Sequence, residues 1–118
     1  MSAVVVYGIA NCDTVKKARR WLDTQGVGHR FHDLRRDGAP ASLIAGWLAA
    51  VPAQTLLNRQ SATWRALGEA DRAAAGTPEG VLQLLCAHPT LIRRPVVDGP
   101  GGVTVGFDPE HLAVHRAA

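Results

Sequence analysis

At 118 residues the chain fits one domain, and a hydrophobic content of 47% supplies a packed core and excludes a disordered chain. Thirteen basic residues against ten acidic ones leave a formal charge of +3, too little to argue for nucleic-acid binding. Two cysteines exclude a disulfide scaffold. The start of the chain lacks the basic segment and cleavage site of a signal peptide, so a cytoplasmic location is expected.

Val4-Val5-Val6-Tyr7 is β-branched and stops at Gly8, so Ala3–Tyr7 reads as a buried strand. A short loop leads through Asn11 to Cys12. Thr14–Thr24 then reads as a helix, with Ala18, Trp21 and Leu22 on one face and Lys16, Lys17, Arg19 and Arg20 largely on the other. Gly26 is its expected C-terminal stop. His29–Leu34 reads as a second strand and Arg35–Gly38 as a turn.

Pro40–Val51 has Ile44, Trp47, Leu48 and Val51 at helical spacing, as for a core-facing helix. Short helices are expected at Gln54–Arg59 and Ser61–Leu67, the second capped by Ser61. A further turn is expected at Asp71–Ala75. Thr77 and Pro78 open a helix to about Ala87. Leu91–Val97 reads as a strand broken by Pro95, Asp98–Gly102 as a turn and Val103–Phe107 as the returning strand. Asp108-Pro109-Glu110 caps a last helix. The order β-α-β, helices, β-β-α predicts an α/β, thioredoxin-like fold. It would be one domain over 1–118, a mixed four-stranded sheet with a helical insert at roughly 40–76.

Cys12 is the first candidate for chemistry. A thiol between a strand end and a helix start meets unpaired backbone N–H groups and the positive end of the helix dipole, which favour the nucleophilic thiolate. Position 15 is Val15, so no Cys-x-x-Cys exists and the loop cannot run its own dithiol cycle. A small thiol such as glutathione would be the natural substitute. Cys86, in an apolar helix, reads as packing. Eleven of the 13 basic residues are Arg, which suits oxyanion and carboxylate binding, although a GC-rich genome produces the same bias. Arg94, before Pro95, could reach an anion near the Cys12 loop, and Arg59 is one of few charges in an apolar block. His111 and His115 are four apart on the last helix, but nothing nearby completes a metal site, so they read as surface histidines and no metal is expected.

Tyr7 to Arg19, Leu56-Leu57-Asn58-Arg59, Thr63-Trp64-Arg65, His88 to Val97 and Val105-Gly106-Phe107 together resemble the arsenate reductase (ArsC)–Spx family, nearest its YffB-like branch. The resemblance covers nearly the whole chain. It implies a cis peptide at Pro95 and an enzyme in which Cys12 is the nucleophile. Arginines that match Arg94 and Arg59 hold the oxyanion in the family's arsenate reductases, so Arg94 is expected to act with Cys12 in catalysis. Asn11, Lys16, Arg59 and Pro95 are expected to bind the substrate or glutathione, with Lys16 also stabilising the thiolate. Glutathione would be a co-substrate rather than a bound cofactor, with glutaredoxin as a partner, and neither nucleic acid nor membrane is expected to bind directly. Asp13, where arsenate reductases of the family carry glycine, sets a negative charge beside the thiol and disfavours an arsenate dianion. Phe107 lies where a further family arginine would fall. These departures match the YffB-like branch, for which glutathione-dependent thiol reduction is the expected activity. Arsenate reduction and Spx-like binding of RNA polymerase are the alternatives.

Overall fold

A computed structural model of the chain describes residues 3–117. The chain divides into two compact units, Met1–Asp37 with Arg94–Ala118, and Gly38–Arg93.

The first unit holds the whole sheet. Strand β1 (Val4–Gly8) is followed by helix α1 (Asp13–Thr24) and strand β2 (His29–Asp33). Strands β3 (Val96–Gly99) and β4 (Gly102–Val105) form the later hairpin, then helix α7 (Pro109–Leu112) and a 3-10 turn (Ala113–Ala117) follow. The strand order is β2-β1-β3-β4. β1 and β2 are parallel, while β3 is antiparallel to both β1 and β4. This is the mixed sheet expected of the thioredoxin-like pattern.

Strand alternation sends Val4 and Val6 to one face. They cluster there with Val15, Ala18 and Leu22 of α1, and with Val27, Val97 and Leu112. Leu22 is 0% exposed; burying such a side chain stabilises by about 1.5–3 kcal/mol. Gly26, at φ +73°, follows the last turn of α1 and returns its N–H to the Asp23 carbonyl at 3.0 Å, the stop expected there.

The second unit is helical: α2 (Ala41–Ala50), α3 (Ala53–Leu56), α4 (Ala62–Ala66), α5 (Glu69–Ala74), α6 (Pro78–Ala87) and a 3-10 turn (Pro89–Leu91). α2 lies against α6, and Ile44, Trp47, Val81 and Leu85 are buried. Ser61 and Thr77 cap α4 and α6, accepting from the N–H groups of Trp64 and Gly80, each at 3.1 Å. No helix of the described residues is long and apolar enough to cross a membrane.

Three expectations are corrected. The helix expected to reach Arg59 ends at Leu56, because Leu57 turns into a bridge with Ile92 and the Asn58 N–H bonds the Leu91 carbonyl at 2.8 Å. The strand expected from Leu91 begins only at Val96, because the Arg93 N–H is taken by the Leu56 carbonyl at 2.7 Å, inside the helical unit. The returning strand stops at Val105, so Phe107 lies in the bend after it.

Candidate active site

Cys12 is the N-cap of α1, with extended backbone (φ −91°, ψ 122°). Its N–H donates to the Ile9 carbonyl at 3.1 Å, and its own carbonyl accepts the Lys16 N–H at 3.0 Å. The side chain makes no capping bond. Sγ therefore stands at the head of the helix, half-buried against the sheet-unit core. Neighbouring Asn11, Asp13 and Lys16 are exposed.

Glycine at position 8 makes this geometry accessible. A Cβ built on Gly8 would come within 2.6 Å of Val15 Cγ2, so a larger residue would push α1 away from the strand end. Val15 itself is 1% exposed. The position a resolving thiol would take in a Cys-x-x-Cys loop is thus committed to packing.

Asp33 is a residue that sequence reasoning missed. Its carboxylate accepts the N–H groups of Arg35 at 2.9 Å and Arg36 at 3.1 Å. The Arg36 N–H first, then those of Arg35 and Ala10, hold its carboxyl below the usual carboxylate range. The Leu34 N–H also bonds the Gly8 carbonyl at 2.8 Å. The turn after β2 is thereby tied both to the end of β1 and to the loop that delivers Cys12. The Asp-x-Arg-Arg spacing, with a side chain two and three residues before free N–H groups, is the signal that could have found it.

The Arg94-Pro95 peptide is cis, the isomer the family resemblance implied. Pro95 is buried and its carbonyl accepts the Gly106 N–H at 2.8 Å. The next residue, Val96, pairs with Tyr7 of β1. Pro95 and half-buried Arg94 therefore stand at the end of the sheet from which β1 runs on to Cys12.

Arg59 belongs to the helical unit, in the turn after α3. Its Nη2 donates to Gln54 Oε1 at 2.5 Å, and its guanidinium lies 5.2 Å from the centre of the Trp64 ring. An exposed contact of that kind contributes about 0.5–1 kcal/mol and fixes the fork. Cys86, also in the helical unit, is half-buried on α6, and both cysteines are free thiols.

The two late histidines differ from the surface pair expected. His111 is exposed, 3.5 Å from Asp108 Oδ2, whereas His115 is 0% exposed and shares a hydrogen bond with Thr104 at 2.9 Å. Among the described residues no group of three or more His, Cys, Asp and Glu could hold a metal ion.

Residues 7–114 match the model of the ArsC family. An uncharacterised protein of Haemophilus influenzae is 37% identical over 111 residues, covering 89% of this chain and 91% of that protein. A solved YffB protein is 40% identical, covers 95% of this chain and 97% of its own, and superposes with a TM-score of 0.88. An arsenate reductase (ArsC) related protein from Brucella melitensis is also 40% identical, covering 94% and 91%, with a TM-score of 0.73. With a matching family model and relatives this similar over nearly their whole lengths, the chain belongs to the ArsC family as a YffB-like member.

Proposed function

We propose that the protein is a glutathione-dependent thiol reductase with Cys12 as its single nucleophile. The observation that carries this reading is the placement of Sγ: half-buried at the head of α1, in no capping bond, with core-packed Val15 in place of a second loop thiol. The helix start offers an anionic sulfur its backbone N–H groups and the positive end of the dipole. Lys16 adds a cation one turn on. Family membership supports thiol-based reduction.

In the proposed cycle the Cys12 thiolate attacks the glutathione sulfur of a mixed disulfide. The substrate S–S bond breaks, a Cys12–glutathione disulfide forms, and the substrate leaves as a thiolate. A second glutathione, as thiolate, attacks the glutathione sulfur held on Cys12. Oxidised glutathione leaves, Cys12 returns as thiolate, and the proton given up by the second glutathione ends on the released substrate thiol. Arg94 would hold a glutathione carboxylate, Asn11 and Lys16 would flank the sulfur, and Pro95 would line the site. For Arg59, which belongs to the helical unit, the family match alone supports an anion-holding role. Glutaredoxin could serve in place of the second glutathione. A reducing cytoplasm would supply the thiol.

Turnover of 2-hydroxyethyl disulfide with glutathione, followed as oxidised glutathione formed, tests the reading. The wild type and Cys86→Ser should turn over alike, and Cys12→Ser should lose at least a hundredfold. A wild type no faster than the uncatalysed exchange would overturn it. Arsenate reduction is the second reading, favoured by the Brucella relative's description as arsenate reductase related. Arsenate-dependent oxidation of glutathione would decide for it.

A further inference from the structure

On the outer side of α1, Lys17, Arg20, Trp21 and Thr24 join Phe107, from the bend after β4, around an open groove of about 280 Å³. Four of the five follow helical spacing on one face, and Phe107 closes the side. We propose that this groove, separate from Cys12, binds a small aromatic anion, such as an aryl carboxylate or an aryl phosphate monoester.

Three observations converge on that ligand. The first is charge. Lys17 and Arg20 have carboxylates at helical spacing, Asp13 four residues before Lys17 and Asp23 three after Arg20. Even so, among the described residues neither side chain makes a hydrogen bond or ion pair. Asp23 is instead 3.9 Å from His29. The neighbouring Arg19, in contrast, is engaged, lying 4.7 Å from the centre of the Phe31 ring. Two unneutralised cations line the groove and no acidic residue does.

The second observation is the aromatic surface. Phe107 is 37% exposed and, with Val114, is one of two large hydrophobic side chains turned to solvent among the described residues. Trp21 is half-buried, packed on the core from one side while lining the groove. Two aromatic side chains and two cations match a planar ring that carries a negative group, because stacking and charge pairing act on the same small molecule.

The third is size. The groove lies just under the lower end of the ~300–1,000 Å³ usual for small-molecule sites. A protein partner would need roughly 800 Å² on this side alone, far more than five side chains provide. One ring with its acidic group fits the space.

Titration of the ¹⁵N-labelled full chain with 1-naphthyl phosphate tests the site, with the indole N–H signals of Trp21, Trp47 and Trp64 as built-in reporters. Expected are saturable shifts of the Trp21 indole and the Gly106 and Phe107 amides, with the Trp47 and Trp64 indoles still. Lys17→Gln with Arg20→Gln should weaken binding at least tenfold, and Phe107→Ala at least fivefold, both with an otherwise unchanged spectrum. All three substitutions are at exposed positions, so the fold should persist. Inorganic phosphate and 1-naphthol should each bind at least tenfold more weakly than the ester. The proposal is overturned by no shift at 5 mM ester, by unchanged affinity in the double variant, or by inorganic phosphate binding as well as the ester. Concentration-dependent shifts of the same signals without any probe would seat a second copy of the chain there and also overturn it.

Discussion

In the sheet unit, β1 pairs with β2 at five positions and with β3 at three, and its buried valines close over Leu22 of α1. In the helical unit, α3, α4 and α5 run only four to six residues. Arginines there reach backbone carbonyls: Arg65 to Gln60 at 2.8 Å, Arg72 to Arg65 at 2.8 Å and Arg93 to Thr55 at 3.2 Å. The first unit rests on ladder pairing and apolar packing. The second adds many local bonds that satisfy helix ends and turns. Helices this short cannot sustain themselves, so their ends must be tied individually. The thiol stands on the unit whose geometry is set by packing.

That contrast can be broken by mutation. Leu22→Ala removes a fully buried side chain from the sheet-unit cluster and should cost about 2–5 kcal/mol in urea denaturation; a loss below about 1 kcal/mol would show that the cluster does not hold the unit. Gly80→Ala probes the helical unit. Alanine for glycine in a helix ordinarily gains about 0.5–1 kcal/mol. Here the new Cβ would come 1.7 Å from the Ala74 carbonyl oxygen, so the sign should reverse to a loss of about 1–3 kcal/mol. Ser61→Ala should cost about 1 kcal/mol by removing the α4 cap, and an unchanged unfolding midpoint would argue against the importance of tied helix ends.

Titration sharpens the same contrast from the sheet side. Burial pushes the His115 imidazole below its ordinary 6.5, with Asp98 acting in the opposite direction. The folded chain favours the neutral ring while the unfolded chain takes up the proton. The His115 contribution is therefore complete above pH 6.5 and declines as pH falls below it. Asp33, held below 3.8 by backbone N–H groups, stabilises above that value and loses its contribution as pH drops further. Unfolding midpoints measured from pH 7.5 to 3 should fall in two stages, and His115→Gln should flatten the first. A midpoint that rises between pH 6.5 and 5, or a first stage that persists in His115→Gln, would contradict this assignment.

The sheet unit was the more legible of the two in the sequence. The apolar run at Val4, the amphipathic face of α1 and the stop at Gly26 each carry their own local signal, and no distant contact overrides them. The helical unit obscured its boundaries because distant partners decide them. Ile92 looks like strand, and bridges Leu57 rather than extending β3. Glu69 and Asp71 sit in the first turn of α5, a charge signal that supports an earlier start than Asp71. At the site, Cys12 and Pro95 were readable from position and motif. Asp33 was not, since its role lies in whose N–H groups it meets. The groove at Phe107 was hidden because the residue reads as the end of a strand, and only the bend after Val105 brings it beside α1.

Mass spectrometry of the intact and digested protein after exposure to oxidised glutathione shows whether Cys12 is a lone reactive thiol resolved by glutathione. The expected result is one glutathione per chain, located on Cys12, removed by reduced glutathione and absent in Cys12→Ser. An adduct on Cys86 with Cys12 unmodified, or no adduct while both thiols remain free, would contradict it.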